Sequence, residues 1–221
     1  MKISFDAGPL ISFSNTCLLS VLDALPFEPV VAPWVVNEIL RFPRATKHYK
    51  LSALRIQKYL LDGKIHQMEL GSKGVELADR IQHVANAIYY SHKRPLKLVH
   101  RGEVEALALA MLTDKIFAVD ERTIRMMVED PFQLRLILES KMGMHITMDK
   151  KRAEEFQELV EDVLMVRSVD LLAYAAELGA FKDAPDEREF VEAALYALKF
   201  AGCSVSEQEI REFLSAFAGR R

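Results

Sequence analysis

Short apolar runs that stop at an acid and lead into helical stretches dominate the first two-thirds of this chain, and few folds accommodate that pattern. KISFDAGPLISFSN begins with a β-type run at residues 3–5, ends it at Asp6 and turns through Gly8 and Pro9 into a helical stretch. KIFAVDER is a second such strand, ending at Asp120, with the helix TIRMMVED behind it. LPFEPVVAP has proline at both ends of a Val-rich run, which suits a short buried strand. Pro33 then opens the helix WVVNEILRF, where Trp34, Val35, Ile39 and Leu40 keep helical spacing. LSALRIQKYLLDG reads as a helix closed by Gly63, KIHQMEL as a strand, and GVELADRIQHVANAIYYSHKR as a helix ending in bases. RGEVEALALA starts a further helix, and GMHITM is the last expected strand. Strands alternating with helices predict an α/β fold over residues 1–148, a parallel sheet sandwiched by helices.

From residue 149 the pattern changes. DKKRAEEFQELVEDVLMV, SVDLLAYAAELGAF, DEREFVEAALYALKFAG and SEQEIREFLSAFAG all read as amphipathic helices. Gly179 and Gly202 are expected stops, and Ser206 is an N-cap with Glu209 at capping-box spacing. The expectation is a C-terminal helical annex over residues 149–221, packed on the α/β part.

In open α/β sheets ligands bind beyond the carboxyl ends of the strands. Asp6 and Asp120 stand at such ends, while Glu38 lies in an apolar helical turn and Glu103 begins a helix. Strand ends and helix starts share a rim in this architecture, so these four carboxylates are expected to converge, with Glu105 and Glu121 in reserve. Each has a plainer use: Asp6 as a turn residue, Glu38 as a solvated partner of Arg41 at i+3, Glu103 as a complement to the helix dipole. Two carboxylates about 5 Å apart repel by roughly 3 kcal/mol at an effective dielectric near 20. A converging cluster therefore needs a cation or retained protons. Carboxylate oxygens suit Mg²⁺ or Mn²⁺, which can activate water against a phosphodiester.

The formal net charge of −3 gives no overall positive field, so a nucleic acid would be held by a local patch or through a cation. Two basic clusters flank the predicted ligands: Arg41, Arg44, Lys47, His48 and Lys50, then His92, Lys93, Arg94, Lys97, His100 and Arg101. Arg94, Lys97, Arg101, Arg41 and Arg44 are the candidates for phosphate contact; otherwise these runs are solvated faces. Trp34, Tyr89 and Tyr90 are read as core residues, with base stacking as the other use.

Several chemistries are not supported. Cys17 and Cys203 are far apart, which suggests a reduced, cytoplasmic protein rather than a disulfide scaffold. Asp6 interrupts the one candidate leader, so neither a signal peptide nor a membrane partner is expected. His66, His83 and His145 fall on separate elements and do not suggest zinc; Ser12 and Ser14 lack a nearby histidine. GPL and LGSKG lack the spacing of a phosphate loop.

SFDAGPLISF, VVAPWVVNEIL, RGEVEALALA and FAVDERTIR, in that order, resemble blocks of the PIN-domain family, small α/β ribonucleases and related nucleases. The tail also resembles the helical extension of a PIN subfamily described as nucleic-acid-binding. The resemblance implies an Mg²⁺- or Mn²⁺-dependent nuclease of RNA, with DNA as the alternative substrate and Asp6, Glu38, Glu103 and Asp120 holding the metal. It also implies a homodimer and, for the toxin of a VapC-type pair, an antitoxin-like protein partner. The chain departs from the family in two ways: a long stretch separates Glu38 from Glu103, and Glu121 stands where related sequences often carry a second Asp. A catalytically idle binding module on the same fold is the main alternative. A small-molecule phosphohydrolase is the third, without an Asp-x-Asp motif after the first strand to support it.

Overall fold

The computed structural model describes residues 1–42, 47 and 49–219. Its elements begin with β1 (Lys2–Phe5), α1 (Ala7–Asn15), α2 (Val21–Ala24), β2 (Glu28–Val31) and α3 (Pro33–Val36), which continues as a π-helical turn, Asn37–Arg41. Next come α4 (Lys50–Leu61), β3 (His66–Gln67), α5 (Gly71–Ala85), β4 (Tyr89–Ser91), β5 (Arg94–Pro95) and α6 (Arg101–Leu112). The chain continues through β6 (Ile116–Ala118), α7 (Arg122–Glu129), α8 (Pro131–Met142), β7 (Thr147–Met148) and α9 (Lys150–Val160). It ends with β8 (Leu164–Val166), α10 (Ser168–Glu177), α11 (Glu187–Ala201) and α12 (Glu207–Gly219).

β1 is the centre of a five-stranded sheet in the order β3-β2-β1-β6-β8, with every pairing parallel. Ser4 lies opposite Val30 on one side and Phe117 on the other, and Phe5 opposite Val31 and Ala118. From β1 the chain steps outward to β2 and β3, then returns to place β6 against the other side of β1. Strand order thus reverses between β1 and β6, the place where an open sheet leaves a crevice. The α/β class with helices flanking a parallel sheet is as expected. Among the described residues, no helix is long and apolar enough to cross a membrane.

α6 lies against β1, and the stretch from Val104 to Ala110 is buried throughout. Three of those residues are alanines (Ala106, Ala108, Ala110), and small side chains let a helix backbone approach the sheet. The approach is close enough for the Ser4 hydroxyl to donate to the carbonyl of Ala106 at 2.7 Å. α5 packs along the opposite flank of α6.

Three readings of the sequence need correction. The bases after residue 91 do not end a helix. α5 stops at Ala85, where Asn86 accepts from the backbone N–H groups of Leu98 and Val99 and donates to the carbonyl of Val99. The chain then forms a β4–β5 hairpin whose tip, His92-Lys93, takes φ of 49° and 63°, the two left-handed positions of a tight hairpin turn. GMHITM yields β7, but this strand joins β4 in a small antiparallel sheet of order β5-β4-β7 and not the parallel one. Finally, DKKRAEEFQELVEDVLMV is not one helix: α9 ends at Val160, and Leu164–Val166 pairs with β6 as the fifth parallel strand. The segment after 149 is therefore helical except for one strand that completes the sheet.

A single apolar core runs through both parts, from Phe5, Leu10 and Leu107 to Phe156, Leu172, Leu195 and Leu214. α10 and α11 rest on α1, and α9 on α5 and α7. The expected stops hold: Gly179 and Gly202 take φ of 82° and 119°, and Ser206 and Glu209 exchange the two capping-box hydrogen bonds at 2.8 and 3.1 Å.

Candidate functional site

The crevice at the β1–β6 reversal is walled by acids. Asp6 follows β1 directly; its N–H donates to the carbonyl of Ala118 at 2.9 Å, tying it to β6. Its carboxylate accepts from the N–H of Gly8 at 3.2 Å and so caps α1. This carboxyl is pushed up to about 6, by burial first and by the charges of Asp120 and Glu121, against the pull of the Gly8 and Ala7 N–H groups. Gly8 fills the gap between the two strand ends. A Cβ there would sit 3.4 Å from Asp6 Oδ2 and 3.5 Å from the Cβ of Asp120, so the two aspartates stand on either side of one glycine.

Glu38 comes from the π-helical turn. Such turns widen a helix by one residue and recur at functional sites. Its carboxylate lies on the bare Cα of Gly102, where a Cβ would collide with both oxygens. Glycine at 102 is thus what admits Glu38 to the start of α6. The Glu38 carboxyl is raised to about 7, by burial first and by the charges of Asp6 and Glu105, with a hydrogen bond from Trp34 opposing them. Arg41 is exposed, and no ion pair joins it to Glu38.

Glu103 sits in the first turn of α6 and accepts from the N–H of His100 at 2.8 Å, one half of a capping box. It does suit the helix dipole, but its surroundings work against a charge. Burial lifts it to about 8 despite that hydrogen bond, with contributions from Asp6, Glu121 and Glu38. Asp6, Glu38 and Glu103 therefore feel one another across the hollow, and Glu121 acts on two of them from its edge. Glu121 is exposed and caps α7 through the N–H and the hydroxyl of Thr123.

Asp120 is buried at the same strand end, but both its oxygens are engaged. They accept from the N–H of Ser168 at 2.8 Å and from its hydroxyl at 2.9 Å, at the start of α10. Glu105 is likewise committed. Oε2 accepts from the N–H of Trp34 at 3.1 Å and Oε1 from Arg101 Nε at 2.7 Å, while Arg101 also pairs with Asp79. Of the reserves, Glu121 thus adds its charge to Asp6 and Glu103 while Glu105 ties α3 to α6.

Among the described residues, no three His, Cys, Asp or Glu side chains form a ready-made metal cage. The neighbourhood is electrostatic and not yet coordinating: carboxylates from four segments bias one another while each keeps a backbone or side-chain partner. The donor set fits a hard divalent cation in kind, since it is all oxygen, and the bare Cα of Gly102 is what lets the Glu38 carboxylate join it.

The basic candidates divide. Arg94 and Lys97 are exposed beyond the hairpin tip, and Lys97 lines an open groove of about 650 Å³ with Asp79, His83 and Tyr90. Arg101 spends its guanidinium on Asp79 and Glu105, so a phosphate contact there would have to displace them. Arg44 and His48 lie outside the described residues. Tyr89 is a core residue, fully buried with its hydroxyl on the carbonyl of Pro131 at 2.8 Å, but Trp34 is 41% exposed beside the acids. Sequence reading missed two contributions. Ser168 carried no signal, because the helix start that meets Asp120 is 48 positions away. A cleft lined by Arg122, Arg125, Arg167 and Lys199 brings cations from three elements together, again invisible in the linear order.

No family model, curated protein or solved structure compared with this chain matches it.

Proposed function

We propose that this protein hydrolyses phosphodiester bonds, with RNA as substrate, at an acidic centre that takes Mg²⁺ or Mn²⁺. The observation that carries the proposal is the meeting of Asp6, Glu38 and Glu103 at the strand-order reversal, all raised well above ordinary carboxylates. Three acids from β1, the π turn and α6 gain nothing structurally from such proximity, since mutual repulsion disfavours it. A hard divalent ion removes that cost. Asp6, Glu38 and Glu103 would hold it, with Glu121 as an additional carboxylate.

When bound, the ion supplies positive charge to a non-bridging phosphate oxygen and lowers the pKa of a coordinated water. The chain's own residues do the rest. Asp120, held by Ser168, fixes the start of α10 against the β6 end, and its negative charge helps to raise the Asp6 carboxyl. Trp34, half-exposed beside Glu38, offers a face on which a base can stack.

The test is cleavage of a labelled single-stranded RNA in Mn²⁺ by the natural protein and by Asp6→Asn. The proposal expects metal-dependent cleavage that the variant loses; equal cleavage by both would reject it. The engaged oxygens of Asp120 favour one other reading, a binding module with a structural ion. A protein that Mn²⁺ stabilises but that cuts neither RNA nor DNA would establish that reading instead.

A further inference from the structure

The C-terminal segment builds one wall of a second, basic cleft. About 410 Å³ in volume, it is lined by Arg122 and Arg125 of α7, Arg167 before α10, Lys199 of α11 and the link from Cys203 to Ser206. The cations are not equally occupied. Arg167 is consumed by Asp170, Glu209 and the carbonyl of Ser204, and Lys199 meets Glu207 at 3.1 Å. Arg122 and Arg125 stand differently: among the described residues no carboxylate lies within ion-pair distance of either. Arg125 Nε is also buried without a hydrogen-bond partner. An arginine fork whose donors lack acceptors is matched by a phosphate or carboxylate.

The cleft shares a wall with the acidic hollow. Arg122 directly follows Glu121, and the N–H of Ser204 in the cleft lining donates to the carbonyl of Asp120 at 3.3 Å. The backbone of this two-residue stretch and the arginine that follows it therefore border the cleft, while Asp120 is held by Ser168 and Glu121 by Thr123.

We propose that Arg122 and Arg125, with Lys199, form a phosphate subsite for the flanking backbone of a single-stranded RNA, so that the C-terminal segment serves substrate binding. This rests on the nuclease reading for the identity of the ligand, but its test does not depend on cleavage. Binding of a fluorescent single-stranded RNA is measured by anisotropy in EDTA across a salt series, for the natural protein, Arg122→Glu/Arg125→Glu, the milder Arg122→Gln, and Asp6→Asn. Thermal melts confirm that each variant folds.

The double variant is expected to bind on the order of tenfold more weakly or worse, and its slope of log affinity against log salt to flatten by about 1.4, roughly 0.7 per lost phosphate contact. Arg122→Gln, an exposed change, should flatten the slope by about half that. Inorganic phosphate should compete only weakly, since one phosphate lacks the strand. Unchanged affinity and slope in both folded arginine variants would overturn the subsite. If they bind normally while Asp6→Asn loses cleavage, the subsite fails and the nuclease reading survives. If they lose binding while Asp6→Asn cleaves like the natural protein, the subsite stands and the acidic centre fails.

Discussion

At Gly102 the three atoms an added methyl group would meet first all belong to the far end of the Glu38 side chain. Glycine within a helix ordinarily costs about 1 kcal/mol relative to alanine. Gly102→Ala should therefore melt no lower than the natural protein, yet bind Mn²⁺ about tenfold or more weakly because Glu38 is pushed out; calorimetric titration beside a thermal melt reads both. A lowered melting temperature with intact metal binding would show that the glycine serves packing alone. Ser168→Ala removes the hydroxyl from Asp120 but keeps the N–H. Its expected cost is about 1 kcal/mol of stability, and 10- to 100-fold in Mn²⁺ affinity if Asp120 orients the centre. Asp6→Asn, which removes a buried charge, should raise the melting temperature of the metal-free protein at pH 8 while reducing cleavage by more than about a hundredfold. The proximity of Asp6, Glu38 and Glu103 is expected from a strand end, a helical turn and a helix start that share a rim, and from the family resemblance. The engagements of Glu105 and Asp120 could not be read from the sequence, since their partners Trp34 and Ser168 come from other elements.

Elements place those residues, and their legibility followed length and burial. β1 and β6 were readable because both are buried strands that end in an acid. β8 was not: it is three residues long, Leu164 is 60% exposed at the sheet edge, and an amphipathic helix precedes it. The helix expected from Pro33 is present, but its widening at residues 37–41 leaves no mark in the apolar spacing. β8 also carries a consequence. Ending the chain at residue 148 would strip β6 of its outer neighbour and Asp120 of Ser168, leaving an unpaired strand edge and an open core. Such a fragment should be recovered as aggregate, whereas an independent domain would stay soluble and show a cooperative melt.

Across the whole molecule, the acidic centre links stability to pH. Ordinary carboxylates titrate near 4, whereas in the folded chain Asp6, Glu38 and Glu103 titrate at about 6, 7 and 8. Between those values the folded protein holds protons that the unfolded chain has released. The stability they contribute is complete below the ordinary carboxylate range and is lost as pH rises through 6 to 8. The metal-free melting temperature should therefore fall from pH 5 to pH 8.5. Mn²⁺ should reverse the trend at the upper end, because it binds the deprotonated oxygens. The net charge of −3 makes the local arrangement matter more, since no general positive field draws a polyanion to the surface. The α/β architecture and the packing of the tail on it could be read from alternating runs and amphipathic stretches, but the strand by which the tail completes the sheet could not, because that depends on contacts between distant segments.

Anomalous scattering from a crystal of the full chain soaked in Mn²⁺ tests the central claim most directly. The predicted result is a peak within coordination distance of Asp6, Glu38 and Glu103 at the β1–β6 crevice. A map with no peak there, or with Mn²⁺ held only by surface carboxylates elsewhere, would contradict it.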